Sequence, residues 1–327
     1  MDQIRICNGN NLQISPENKL CELFELSRPT VRKALKDLVE DGFLIPKPGM
    51  GTFINPDKIN KDDIKLPFVG TIEGDGKSVY GSNSMLNEIL SVNGISQKEL
   101  YLQNTKAHEK YIKTATHGLN AVIWHTSSPS SPFLKALKKL KIPLLVIGEK
   151  PIDNCDNIII DTHAIGVLIA DYMFKKGHFH TVFVHKFSRD SRSTFRGYCD
   201  RMEELAGAKF KKENCVCLLK ELDQFIKKVG ISSLYLPRIL VPYVIRKLAG
   251  NNLKIPQDAS CLVHDISSCL HFNGLKPDFI DTYTTLNKAV HKWCTKRIFQ
   301  NNGAGRFRKT LKVKIISGQT VVNMNEE

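Results

Sequence analysis

The sequence predicts an α/β protein: an N-terminal winged helix-turn-helix followed by an α/β domain of two subdomains. Three observations carry this. Ser15 to Ile54 reads as two short amphipathic helices and a hairpin, residues 55–65 (NPDKINKDDIK) are polar and mixed in charge, and from Leu66 onward short β-rich runs alternate with helical stretches. The expected organisation is a head over 1–55, a linker over 56–65 and a body over 66–320.

In the head, Ser15 suits an N-cap and Pro16 the first helical position, where its missing N–H costs nothing. Leu20, Leu23 and Phe24 share one face of this first helix. Ser27 caps a second helix in which Val31, Ala34, Leu35, Leu38 and Val39 recur at helical spacing as a buried stripe. Arg28, Arg32, Lys33 and Lys36 fall largely off that stripe, and Gly42 suits the helix's left-handed C-terminal stop. Phe43, Ile45, Phe53 and Ile54 suit short strands around the turn Pro48-Gly49-Met50-Gly51. A basic second helix in such a pair suits a DNA major groove: an arginine binds guanine bidentately, and the helix N-terminus favours phosphate. Wing glycines let backbone approach a minor groove without a side chain in the way. An ordinary helical hairpin with a solvated basic face fits the same pattern.

Composition narrows the classes. At 42% apolar residues the 327-residue chain is globular, no apolar run approaches the length of a membrane span, and the N-terminus lacks a signal-peptide pattern. A cytoplasmic location is expected. The formal net charge of +14 suggests a polyanionic partner, yet charges nearly cancel over the first 60 residues. The argument for DNA therefore rests on the clustering along one helix. Nine cysteines without a Cys-x-x-Cys pair suggest reduced thiols, with Cys215 and Cys217 as small buried residues of a strand.

In the body, strands are expected at 67–72, 100–103, 121–124, 144–148, 158–161, 181–185, 215–218, 233–236, 260–264, 280–284 and 312–316. Helices are expected at 84–92, 109–116, 132–140, 164–176, 194–205, 223–229, 238–249 and 288–299. Continuous apolar strands between helices imply parallel sheets covered on both faces, and this many strands imply two sheets. Ligands in such folds bind beyond the carboxyl ends of strands or in a cleft between subdomains, so the loops after Ile72, Trp124, Ile147, Ile160, His185, Leu236 and His264 matter most.

The stretches SPEN, LCELFELSRPTVRKALKDLVEDGFL and KPGMGTFI resemble the winged helix of GntR-type bacterial transcription regulators. The resemblance implies DNA contacts from Arg28, Thr30 and Arg32 and a wing built on Gly49 and Gly51; Lys33 joins them on the basic face. The chain departs from that pattern twice. The helix that precedes the motif in the family is expected to be missing or shortened, because Asn8-Gly9-Asn10-Asn11 is a turn. Asn18 stands where the family often has a basic residue.

From residue 66 onward, FVGTIEGD, IPLLVIGE, IIIDTHAIGVLIADYMFKKGHFHTVFV, STFRGYCDRMEE, CLVHDI and KVKIISGQTVV resemble, in that order, the ligand-binding domain of LacI-type repressors, a periplasmic-binding-protein-like fold. A GntR-type head on a LacI-type body is a known pairing. The resemblance implies that Arg196 and Asp265 meet the ligand, as a donor fork and an acceptor suited to sugar hydroxyls. A helix-surface arginine and a strand-end cap are their other readings. Asp75, His125 and Tyr235 are further ligand candidates. Trp124 suits core packing, and Asp161 suits a cap on the following helix. His264 and Ile266 flank Asp265 where the family usually has Phe and Asp, which bears on the ligand class.

Enzyme motifs do not complete themselves. Gly74-Asp75-Gly76-Lys77-Ser78 imitates a phosphate loop, but its first glycine would fall on Thr71. No dinucleotide or nucleophile-elbow pattern occurs, and His178 and His180 lack further metal ligands. The expectation is a non-enzymatic, ligand-responsive DNA-binding regulator, a repressor controlled by a sugar or related small molecule. Its partners are a double-stranded operator and a second copy of the chain, with no cofactor, metal or membrane. Ligand closure of the cleft would shift the spacing of the two heads. The alternative is a sugar-binding sensor whose head no longer grips DNA.

Overall fold

The head folds around a small apolar centre that its own periodicity dictates. In this computed structural model, which describes residues 13–24, 26–58, 67–73, 84–100, 108–126, 132–140, 142–185, 193–265, 274–300 and 305–325, helix α1 covers Glu17–Phe24 and α2 covers Arg28–Glu40. Leu20 and Val31 are buried, and Leu35, Leu38, Val39 and Phe43 pack against Ile14, Leu44 and Ile54. Ala34 is exposed, so the stripe is narrower than its spacing suggests. Pro16 sits one place earlier than expected: its carbonyl accepts the first helical hydrogen bond, from Leu20 N at 3.0 Å. Ser27 caps α2 through Thr30 N, and the helix stops as Gly42, at φ +76°, and Phe43 turn their N–H groups back to Val39 and Leu38.

The wing is an antiparallel pair, β1 (Leu44–Lys47) and β2 (Gly51–Ile54), closed by Met50 N donating to Lys47 O. It gains an extra edge that the sequence pattern does not show. Gln13 bridges to Phe53, and Ile14 N donates to Thr52 O. The turn Asn8–Asn11, the question of a preceding helix, the side chains of Leu23 and Phe24, residues 59–65 of the linker, and Gly74–Ser78 lie outside the described residues.

By compactness the chain divides into two units, Met1–Ile159 with Asn287–Lys309, and Ile160–Leu286 with Thr310–Glu327, so it passes between them three times. In the first unit the body elements are β3 (Phe68–Glu73), α3 (Ser84–Val92), β4 (Ser96–Glu99), α4 (His108–Ala115), β5 (Ala121–His125), α5 (Pro132–Lys138), β6 (Leu144–Gly148) and β7 (Asp156–Ile159). The second unit follows with α6 (Thr162–Lys175), β8 (Val182–His185), α7 (Ser193–Ala206), β9 (Val216–Leu218), α8 (Leu222–Val229), β10 (Ser233–Pro237), α9 (Val241–Gly250), β11 (Ser260–His264) and β12 (Asp278–Asp281). The chain then forms α10 (Tyr283–Cys294), a π-helical turn over Thr295–Phe299, β13 (Arg308–Thr310) and β14 (Lys314–Ile316).

Each unit holds one six-stranded sheet, in the orders β13-β7-β6-β5-β3-β4 and β14-β12-β11-β10-β8-β9. Apart from their last-formed edge strands the two orders have the same topology: the first strand lies between the second and third, and the fourth and fifth follow outward. All pairings among those five strands are parallel in both sheets, while β14 runs antiparallel to β12. In each sheet the topological switch point falls beside the first strand, between β3 and β5 and between β8 and β10.

The central strands are buried end to end, as their unbroken apolar runs require; β6 reads Leu-Leu-Val-Ile-Gly with every residue buried. Strands β4 and β13 were not expected. Their sequences, SQKE and RKT, carry no apolar residue, and both are edge strands whose side chains gain nothing from burial. The expected strand 100–103 begins at β4's end, and the rest of it lies outside the described residues. The expected strand 280–284 is β12, ending at Asp281, and the helix after it starts five residues earlier than the apolar period suggests. Two carboxylates, described below, fix that earlier start.

Candidate DNA-reading and effector-binding sites

On α2 the basic residues stand in solvent. Arg28 and Arg32 have 61% and 64% of their side chains exposed, and Lys33 is exposed as well. One carboxylate gathers the two arginines. Glu17, at the start of α1, accepts from Arg28 Nε at 3.4 Å and from Arg32 Nη2 at 3.0 Å and Nε at 3.2 Å. The Arg32 guanidinium, and then that of Arg28, hold the Glu17 carboxyl below the usual carboxylate range. The sequence reading passed over Glu17. A signal existed, since it opens α1 while both arginines sit on successive turns of α2, but only the packing of the two helices turns that spacing into contact.

Thr30 is tied to the cap, with its hydroxyl 2.7 Å from Ser27 Oγ. Gly49 adopts φ +72° with open space where a side chain would go. Gly51, at φ +107°, would push a Cβ to 2.6 Å from Gln13 Nε2. Both positions therefore demand glycine for backbone reasons, the second also for contact. The surface so formed, two clasped arginines beside a glycine-tipped wing, presents donors suited to base edges and phosphates.

In the body the candidates sit at strand ends. His125 closes β5 at the first sheet's switch point, where it pairs in register with Glu73 of β3. Asp75 lies outside the described residues. Trp124 is fully buried, and Asp161 caps α6 by accepting from Ala164 N at 2.9 Å. Arg196 is exposed on the first turn of α7.

In the second sheet Tyr235, His264, Asp265 and Thr282 come together at the carboxyl ends of β10, β11 and β12. Asp265 is only 3% exposed and has φ +58°, a left-handed backbone that Asp tolerates better than most residues. Its Oδ1 accepts from Thr282 N and Tyr283 N, each at 2.8 Å, so it caps α10; Asp281 Oδ1 accepts from Thr284 N at 3.0 Å. These carboxylates draw the start of α10 back to Tyr283. The second oxygen of Asp265 has no hydrogen bond among the described residues and lies 3.8 Å from His264 Nε2.

The His264 ring stands between two hydroxyls, with Tyr235 Oη 2.5 Å from Nδ1 and Thr282 Oγ1 3.0 Å from Nε2. Burial pushes the His264 pKa down. Burial also pushes the Asp265 carboxyl up, against the pull of His264 and of its two amide hydrogen bonds. Tyr235 itself is buried against Phe183, with ring centroids 4.6 Å apart, so only its hydroxyl end is placed for recognition.

The remaining titratable groups are structural. Cys215 and Cys217 are buried, and burial pushes the Cys215 thiol up to about 12. His178 is buried on Val322 O, and His180 Nε2 accepts from Lys211 N. Among the described residues no group of three or more His, Cys, Asp or Glu side chains could hold a metal ion, and no helix is long and apolar enough to cross a membrane.

A two-helix head with a wing, followed by two parallel sheets of like topology crossed three times by the chain, defines a GntR-type winged helix joined to a LacI-type, periplasmic-binding-protein-like domain. Residues 13–54 match the model of the family described as bacterial regulatory proteins, gntR family. The arabinose metabolism transcriptional repressor of Geobacillus stearothermophilus is 28% identical over 182 residues, which cover 51% of this chain and 48% of that protein. The chain thus spans about half the length of this curated relative. Among solved structures, a LacI family transcriptional regulator from Enterococcus faecium with bound ribose superposes with a TM-score of 0.60 at 15% identity, covering 79% of this chain and 99% of that one. Another from Arthrobacter sp. FB24, in complex with lactose, gives 0.59 at 13% identity over 78% and 99%.

Proposed function

We propose that this chain is a ligand-responsive, DNA-binding transcription regulator, a repressor governed by a sugar. It acts in the cytoplasm as a homodimer whose two heads meet a pseudo-palindromic operator. The observation that carries the proposal is the pair Arg28 and Arg32, solvent-exposed and gathered by Glu17 beside the wing of a GntR-type head. On this reading Arg28 and Arg32 reach base edges or phosphates, Lys33 adds charge, and Thr30 and the backbone at Gly49 and Gly51 fix the register.

The effector is read at the carboxyl ends of the strands, by Asp265 Oδ2 as acceptor, with Arg196, Tyr235, His125 and Asp75 as further contacts. The names of the relatives support a sugar: one is an arabinose metabolism repressor, and two neighbours hold ribose and lactose. No enzymatic role is assigned. Selection of bound duplexes from a random pool, followed by gel shift at fixed salt, tests the head. Enrichment of a two-fold symmetric site is expected. A pool that stays random would leave the protein a ligand sensor without an operator.

A further inference from the structure

The cluster at the carboxyl edge of β10, β11 and β12 carries more than an acceptor for a hydroxyl. An anionic ligand at the start of α10 would look for free N–H groups, because the first turn of a helix supplies them. Here they are already taken. Asp265 holds the amides of Thr282 and Tyr283, and Asp281 holds that of Thr284. Both carboxylates are buried, and the pair of amides on Asp265 favours its ionised form.

The one described cationisable group within 4.0 Å of Asp265 is His264. That ring needs no charge to satisfy its surroundings. Its two partners are hydroxyls, each able to donate or accept, so a neutral imidazole fills both contacts. The other basic residue at this edge, Arg238, follows β10, is half-buried and already has an interaction of its own. His264 has a quarter of its side chain exposed, so a ligand reaches the ring edge beside Asp265 Oδ2.

We infer that His264 is a specificity-determining residue: by standing neutral between Tyr235 and Thr282 it leaves the edge negatively charged, so that it takes an uncharged polyhydroxylated ligand and turns away the phosphorylated form. This rests on the reading of the body as a sugar-responsive domain. A sugar hydroxyl donates to Asp265 Oδ2, whereas a phosphate meets two carboxylates in a poorly screened setting with no open amide to receive it.

Calorimetric titration of the full chain with L-arabinose, D-ribose and lactose, and with D-ribose 5-phosphate and lactose 6-phosphate, tests it. At least one sugar should bind, and its phosphate at least tenfold more weakly. His264→Gln, uncharged and able to bridge the two hydroxyls, should keep that gap. His264→Arg should narrow it at least threefold, and so should Asp281→Asn, whose side chain still caps Thr284 should the arginine variant fail to fold. A phosphorylated sugar that binds as tightly as its parent, or a gap unmoved in His264→Arg or Asp281→Asn, overturns the inference and leaves the sugar reading standing. Binding by none of the five compounds overturns both.

Discussion

Glu17 shows what a single side chain adds to a recognition surface. Held between two guanidiniums, it takes away some of the freedom that long arginine side chains lose on binding, and it aligns them before DNA arrives. Replacing Glu17 with Gln should therefore lower the ratio of specific to non-specific DNA affinity several-fold. Affinity for random duplex should rise, because one negative charge leaves the surface. Competition gel shifts at fixed salt read both numbers. Arg32→Ala should cost operator binding about 1–3 kcal/mol if the guanidinium reads a base. An unchanged operator affinity would assign Arg32 to solvent instead.

At the scale of elements, two contacts hold the body together by different physics. The first is ionic. Asp156 on β7 accepts from Arg297 Nε and Nη2 at 2.7 and 2.8 Å, from Trp293 Nε1 at 2.8 Å and from Phe307 N at 2.8 Å, with both charged residues buried. Arg297→Ala would strand a buried carboxylate and should cost about 3–5 kcal/mol in urea unfolding, whereas a double replacement by apolar residues of similar volume should cost far less. Burial alone would raise the Asp156 pKa. The Arg297 guanidinium and the N–H groups of Phe307 and Trp293 outweigh it and hold the carboxyl below its ordinary value. A depressed carboxyl contributes stability that is complete above its unfolded value and is lost as pH falls through the folded one. The wild type should therefore lose stability below the ordinary carboxylate range, and the apolar double variant should lose less of it.

The second contact is steric. Helices α6 and α7 touch backbone to backbone, and a Cβ at Gly166 would lie 2.0 Å from Thr194 O, one at Gly197 2.1 Å from His163 O. Gly166→Ala should raise helix propensity and yet destabilise the protein by about 1–3 kcal/mol, because the crossing has no room for a methyl group. A neutral or stabilised variant in thermal unfolding would show that the helices separate at little cost.

For the molecule as a whole, regulation is a coupling free energy, and it is reciprocal. A sugar that weakens operator affinity by some factor must bind the operator complex more weakly by that same factor, and titrations in both orders check this. Arg196→Ala should abolish the response to sugar while operator affinity stays as in the wild type. Calorimetry showing full sugar affinity in that variant would return Arg196, which is exposed on α7, to the role of a surface residue.

The sequence by itself determined the head and the alternation of the body. Caps, glycine stops and apolar periods are local properties, which is why Ser27, Gly42, β6 and β11 stand where their residues place them. Tertiary structure decided whatever depends on neighbours distant in the chain. It alone made edge strands of SQKE and RKT, which pair through backbone and carry no apolar signal, and brought Gln13 and Ile14 to the wing. It also moved the start of α10 to Tyr283, gave Arg28 and Arg32 to Glu17, and placed His264 between Tyr235 and Thr282. Carboxylates and imidazoles carry no periodicity of their own, so only the folded chain assigns them partners.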